Sequence, residues 1–334
     1  MNRHAMEKLH AWMEERGFPH FTVLRPENFA WLTGGGDNTV VAGEGVAWLE
    51  VVEGKVKLHT SRIEEGRLVA EEVTGIDEVV AYPWYAVPEP GRPSDLEHDL
   101  TPLRLTLSPE EQERFRALGR DAAQALGEVV RAARPQWTER ELVGEVAAAL
   151  YARGIQPVVL LVAGEERIFK WRHPLPKDRP LGRLFMAVIC GRREGLIANL
   201  TRLRSFGHPE AEGLYKKVLL VEAAALDATR PGATMGEVLS AIQEAYRAIG
   251  RPEAFEEHHQ GGIAGYRPRE VLATPGDGTR LDVGMAVAWN PSLPGAKAED
   301  TFLITRDGLE NLTFDPNWPT VEVEGRRRPD LLLS

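Results

Sequence analysis

Apolar residues fall at Met6, Leu9, Trp12 and Met13, three and four apart, and predict an amphipathic helix near the start of the chain. The pattern then changes to strand-like runs, Phe21 to Leu24 and Val46 to Val52, separated by glycine turns, so the first third reads as a small α/β domain. Pro83 through Pro102 is rich in proline and charge, has little periodicity, and reads as a connection. The domains expected from this are residues 1–102, linker included, and residues 103–334.

Beyond that boundary, Ser108-Pro109-Glu110-Glu111 supplies an N-cap, a proline at the first helical position and a capping-box glutamate. Apolar residues at Phe115, Leu118, Ala122, Ala125 and Val129 continue it as a long helix with one buried face. The second domain also contains an echo. Ala133-Arg134-Pro135-Gln136-Trp137-Thr138-Glu139-Arg140-Glu141-Leu142 matches Thr229-Arg230-Pro231-Gly232-Ala233-Thr234-Met235-Gly236-Glu237-Val238. In each, Arg-Pro stops one helix and Thr-x-x-Glu caps the next, which predicts a duplicated α/β unit with pseudo-twofold symmetry and a cleft between its halves.

Composition narrows the functional classes. Hydrophobic residues at 43% and charged residues at 27% describe a globular protein, and no apolar run approaches the roughly 20 residues of a membrane helix. The N-terminal residues lack the apolar stretch of a secretory signal, so a cytoplasmic location is expected. A formal net charge of -10 repels nucleic acid, and the basic cluster Arg326-Arg327-Arg328 lacks interleaved aromatics. The single cysteine, Cys190, excludes internal disulfides and cysteine-based zinc clusters.

Several segments together resemble the pita-bread metallopeptidase family, in its aminopeptidase P, prolidase and creatinase branch. Arg25-Pro26-Glu27-Asn28-Phe29-Ala30-Trp31-Leu32-Thr33-Gly34 is similar to the segment marking that branch's small N-terminal domain. The capped helices, the Gly284-Met285 turn and Ala298-Glu299-Asp300-Thr301-Phe302-Leu303-Ile304-Thr305 resemble its catalytic domain in order and spacing. The resemblance implies an α/β (α+β) fold: a creatinase-like N-terminal domain followed by a pita-bread domain with internal pseudo-twofold symmetry. It also implies a homodimer.

Family peptidases hold two divalent ions with two aspartates, a histidine and two glutamates. In this chain Cys190 and Asn199 stand at the aspartate positions, Gly262 at the metal histidine and Asn290 at one glutamate, leaving Glu299 as the surviving carboxylate. Hard divalent cations need anionic oxygen ligands, so a degenerate site with no metal and no other cofactor is expected. Ala187, Val188 and Ile189 beside Cys190 suggest a buried strand, where a thiol is commonly a small core residue. Asn199 and Asn290 keep the size and hydrogen bonding of the lost acids without their charge, as a pocket for a polar ligand would.

By the same resemblance His173 is the pocket histidine and His258 the substrate histidine, and a neutral imidazole suits proton transfer near neutral pH. His259 adds a polar group beside it. Alternation along a strand would turn adjacent histidines to opposite sides, so one of the two is expected in the pocket. Arg269, before Glu270, occupies the place of a family histidine and is suited to a carboxylate. The expected function is metal-independent, creatinase-like hydrolysis of a small C–N or amide-type substrate. His173 and Glu299 would be catalytic, with His258, His259, Arg269, Glu270, Asn199 and Asn290 binding the substrate. Two alternatives stand beside it: a non-catalytic protein that binds a small molecule or short peptide, and an Xaa-Pro peptidase with an unusual metal held by Cys190, Glu299 and a histidine.

Overall fold

Asn2 opens the first helix, α1 (Arg3–Arg16), by accepting the Ala5 backbone N–H at 3.3 Å, and Gly17 closes it in the left-handed conformation. Its face of Met6, Leu9, Trp12 and Met13 is buried as its spacing predicts. The computed structural model describes residues 1–41 and 43–334, in two compact units: Met1–Glu111 with Glu194–Leu196, and Gln112–Arg193 with Ile197–Ser334. In the first unit α1 and α2 (Pro26–Thr33) accompany a four-stranded sheet of β1 (His20–Val23), β2 (Ala47–Val52), β3 (Lys55–Ser61) and β4 (Glu78–Tyr82), in that order. The first two pairings are antiparallel and the last is parallel.

The second unit carries two helix pairs and, beside two short two-stranded ribbons, two larger sheets. The pairs are α3 (Pro109–Ala132) with α4 (Glu139–Tyr151), and α5 (Ala211–Ala228) with α6 (Met235–Ala248). Three capping boxes read from the sequence are formed. The Ser108, Thr138 and Thr234 hydroxyls accept the backbone N–H of Glu111, Glu141 and Glu237, whose carboxylates accept the N–H of the capping residue in return. The internal repeat extends to backbone pairing. Glu139 N–H donates to Arg179 O and Leu181 N–H to Trp137 O, while in the second copy Met235 N–H donates to Thr279 O and Leu281 N–H to Ala233 O. The same turn is held by the same return segment in both halves.

One sheet contains β5 (Gln156–Gly164), β6 (Leu184–Arg193) and β7 (Leu196–Ser205), with β13 (Leu332–Leu333) beside β7. The other runs β9 (Val271–Leu272), β8 (Gly261–Ala264), β10 (Ala286–Trp289), β11 (Asp300–Thr305) and β12 (Gly308–Asn311). Among the described residues no helix is long and apolar enough to cross a membrane. β11 is anchored by a buried ionic network. Asp300 accepts from Arg202 at 3.0 Å, Thr313 at 2.6 Å and Arg328 at 2.7 Å, and Arg328 also forks onto Glu222 at 2.7 and 2.8 Å. This fixes the chain immediately after Glu299.

Candidate active site

Glu299 is buried, and both of its carboxylate oxygens are engaged. Its Oε1 accepts from Arg269 at 2.8 Å, and its Oε2 accepts from the Thr201 hydroxyl at 2.8 Å and pairs with Lys297 Nζ at 2.7 Å. Burial alone would raise its pKa, but the Lys297 and Arg269 charges and their hydrogen bonds overcome that and hold it at about 2. Two cations therefore face one carboxylate, and the cluster carries a net positive charge. Thr201 and Asn199 stand two apart on β7, and Thr301 ties that strand to β11 by donating to Asn199 O at 3.0 Å and accepting its N–H at 2.9 Å.

Lys297 is not singled out by the sequence. It lies two residues before Glu299 in an extended segment, with alanines at 296 and 298, so alternation puts both charged side chains on one side. A lysine between alanines, next to a buried acid, is the signal available.

His173, His258 and His259 form a second cluster, with one nitrogen of each within 4.8 Å of the others. The Nε2 atoms of His173 and His258 are 3.1 Å apart, so one must carry the proton of the bond. Both adjacent histidines belong to the cluster, which corrects the expectation that one would turn away. They precede β8 in irregular backbone rather than within it, so strand alternation does not act, and their rings stack at 4.5 Å. All three are held neutral. Burial, then the nearby cations, lowers His258 to about 2 and His259 to about 4, and lowers His173 through burial and Lys297. Glu270 is placed differently, accepting the Tyr266 backbone N–H at 2.8 Å.

Cys190 is buried on β6 opposite Val159, and burial followed by the Glu299 charge pushes its thiol up to about 12. A thiol so held neither ligates nor reacts readily. Cys190 is expected to resist a thiol-specific reagent such as dithionitrobenzoate in the native protein and to react on denaturation; fast native labelling would contradict this. Asn199 and Asn290 are buried, and the Oδ1 of each has no hydrogen-bond partner among the described residues. Gly262 lies on β8 against β9, where a Cβ would sit 2.1 Å from the Val271 carbonyl oxygen. Backbone occupies the place a histidine would need.

A comparison with protein families matches metallopeptidase family M24 over residues 113–306, more than half of the chain. The chain belongs to this family. Probable dipeptidase PepE of Mycobacterium tuberculosis is 27% identical over 193 residues, 55% of this chain, and the chain spans about half (52%) of that relative's length. Among solved structures, the prolidase of Thermococcus sibiricus superposes with a TM-score of 0.79 at 18% identity, covering 99% of this chain and 98% of its own. The prolidase of Pyrococcus furiosus gives 0.76 at 20% identity, covering 92% and 99%. These likenesses establish the two-domain pita-bread fold. The five positions at which an M24 peptidase holds its ions, on the resemblance drawn from the sequence, are Cys190, Asn199, Gly262, Asn290 and Glu299 in this M24 chain.

Against the pair of ions the family implies, these residues do not fit: the thiol is protonated, the amides are neutral, Gly262 has no room for a side chain, and Glu299 is already neutralised. Gly262→His is accordingly expected to destabilise the protein, by about 1–3 kcal/mol or more, without creating metal affinity. Chemical denaturation and calorimetry with Mn²⁺ measure both, and a stable variant that binds Mn²⁺ would refute the packing argument.

Proposed function

We propose that this M24 chain is a metal-independent hydrolase of a small substrate containing a C–N or amide-type bond, with His173 as the proton-transfer group. The observation that carries this reading is the pairing of Lys297 and Arg269 with Glu299, which supplies fixed positive charge at a carboxylate that, on the family resemblance, stands at a metal-ligand position. His173 is neutral near pH 7 and hydrogen-bonded to a second neutral imidazole, His258. It therefore takes a proton from a water molecule, whose oxygen adds to the substrate carbon, and returns the proton to the nitrogen as the C–N bond breaks. Glu299 is buried and held by Arg269, Thr201 and Lys297, so we assign it a positioning role: it holds the two cations beside the reacting carbon, where they stabilise developing negative charge. The orphaned amide oxygens of Asn199 and Asn290 are suited to N–H donors of the substrate.

The test is turnover of amidine, amide and lactam substrates by protein desalted after chelation. Hydrolysis that survives chelation and disappears in His173→Ala supports the reading, and activity that requires added Mn²⁺ or Zn²⁺ opposes it. A second reading, a binding protein without turnover, is favoured by the pairing of Glu299 with two cations, and the same screen separates the two.

A further inference from the structure

His173 does not open onto bulk solvent alone. It lies on the wall of an open groove of about 980 Å³ formed by the segment from Gly164 to Pro180. On a chain with net charge -10, this groove is lined by five basic side chains against two acidic ones. Three of the basic groups already have partners: Arg167 is paired with Glu139, Lys170 with Glu166 and Arg172 with Glu257. Lys177 and Arg179 have no ion-pair partner among the described residues, both are exposed, and both line the groove while Asp178 between them does not. The same lining carries Trp171 and Leu175, exposed at 56% and 64%. Two cations without ion-pair partners and two exposed apolar side chains lining one groove are complementary to an anion joined to an apolar body.

We propose that the groove binds a small carboxylic acid with an apolar side chain, its carboxylate on Lys177 and Arg179 and its apolar part on Trp171 and Leu175. This names the substrate class of the proposed hydrolase; the binding itself stands without that reading, and only the chemical step after binding rests on it.

Calorimetric titration of the full-length His173→Ala protein with N-acetyl-leucine and with its uncharged amide, N-acetyl-leucinamide, tests it without turnover. The acid is expected to bind roughly tenfold more tightly than the amide. Lys177→Ala with Arg179→Ala removes that preference and leaves the amide unchanged; both positions are exposed, so folding is retained. Trp171→Ala weakens both ligands alike. Equal affinity for acid and amide, no binding of either, or a preference that survives the double substitution would overturn the assignment. Selective binding of the acid without hydrolysis of any carboxylate substrate by the wild type supports the groove assignment and removes the hydrolase reading.

Discussion

Glu299→Gln lowers the stability of the protein by about 3–5 kcal/mol, on the order of a 10 °C fall in melting temperature. The substitution keeps the shape of the side chain and removes the charge that Lys297 and Arg269 share. Both cations are then left in a site where Glu299 is 3% exposed and the Lys297 side chain 5%. Replacing Lys297 by Met in the same variant removes one stranded charge and recovers part of the loss, whereas an additive further loss would show that the pair is not coupled. The pH dependence carries the same information. Glu299 has a folded pKa depressed from 4.5 to about 2, so the stability it contributes is present above pH 4.5 and is lost as the pH falls toward 2. His258 and His259 are depressed from 6.5, so the unfolded chain binds their protons first and stability already declines as the pH falls below 6.5. In Glu299→Gln the decline between pH 6.5 and 4.5 remains, and the further carboxylate-linked loss disappears.

His173→Ala cuts kcat by about a hundred- to ten-thousandfold on whichever C–N substrate is turned over, while the affinity for that substrate changes little. Because burial and the Lys297 charge lower the His173 pKa, the acid limb of kcat/KM lies below pH 6.5 in the wild type. Lys297→Met moves the limb toward higher pH, since one of the two effects holding the imidazole neutral is gone, although burial persists. A limb that does not move would separate Lys297 from His173 and leave the lysine a purely structural partner of Glu299. Equal loss of turnover and binding in His173→Ala would make the histidine a binding group.

The elements are legible wherever the signal is local. Serine or threonine followed three residues later by glutamate predicts all three capping boxes, because the cap is a contact between near neighbours. The repeat around Arg134-Pro135 and Arg230-Pro231 announces the pseudo-symmetry, since each copy recruits an equivalent return segment. The family resemblance offers candidate positions for the site, but not its electrostatics. The Glu299 pairing joins β7, the segment before β11 and the turn at Arg269, and linear spacing does not state which cation reaches a given carboxylate. Lys297 escapes a sequence reading for that reason. The placement of both His258 and His259 in one cluster escapes it because alternation does not govern two residues that lie outside the strand.

On the proposed function, lysine and arginine occupy the electrostatic role of the family's metal ions. The most direct test is elemental analysis of the purified chain incubated with Mn²⁺, Co²⁺, Fe²⁺ and Zn²⁺ and then desalted. Metal far below one equivalent per chain and unchanged hydrolysis are expected. About two equivalents retained through desalting, or one held by the three histidines and required for turnover, would contradict that role.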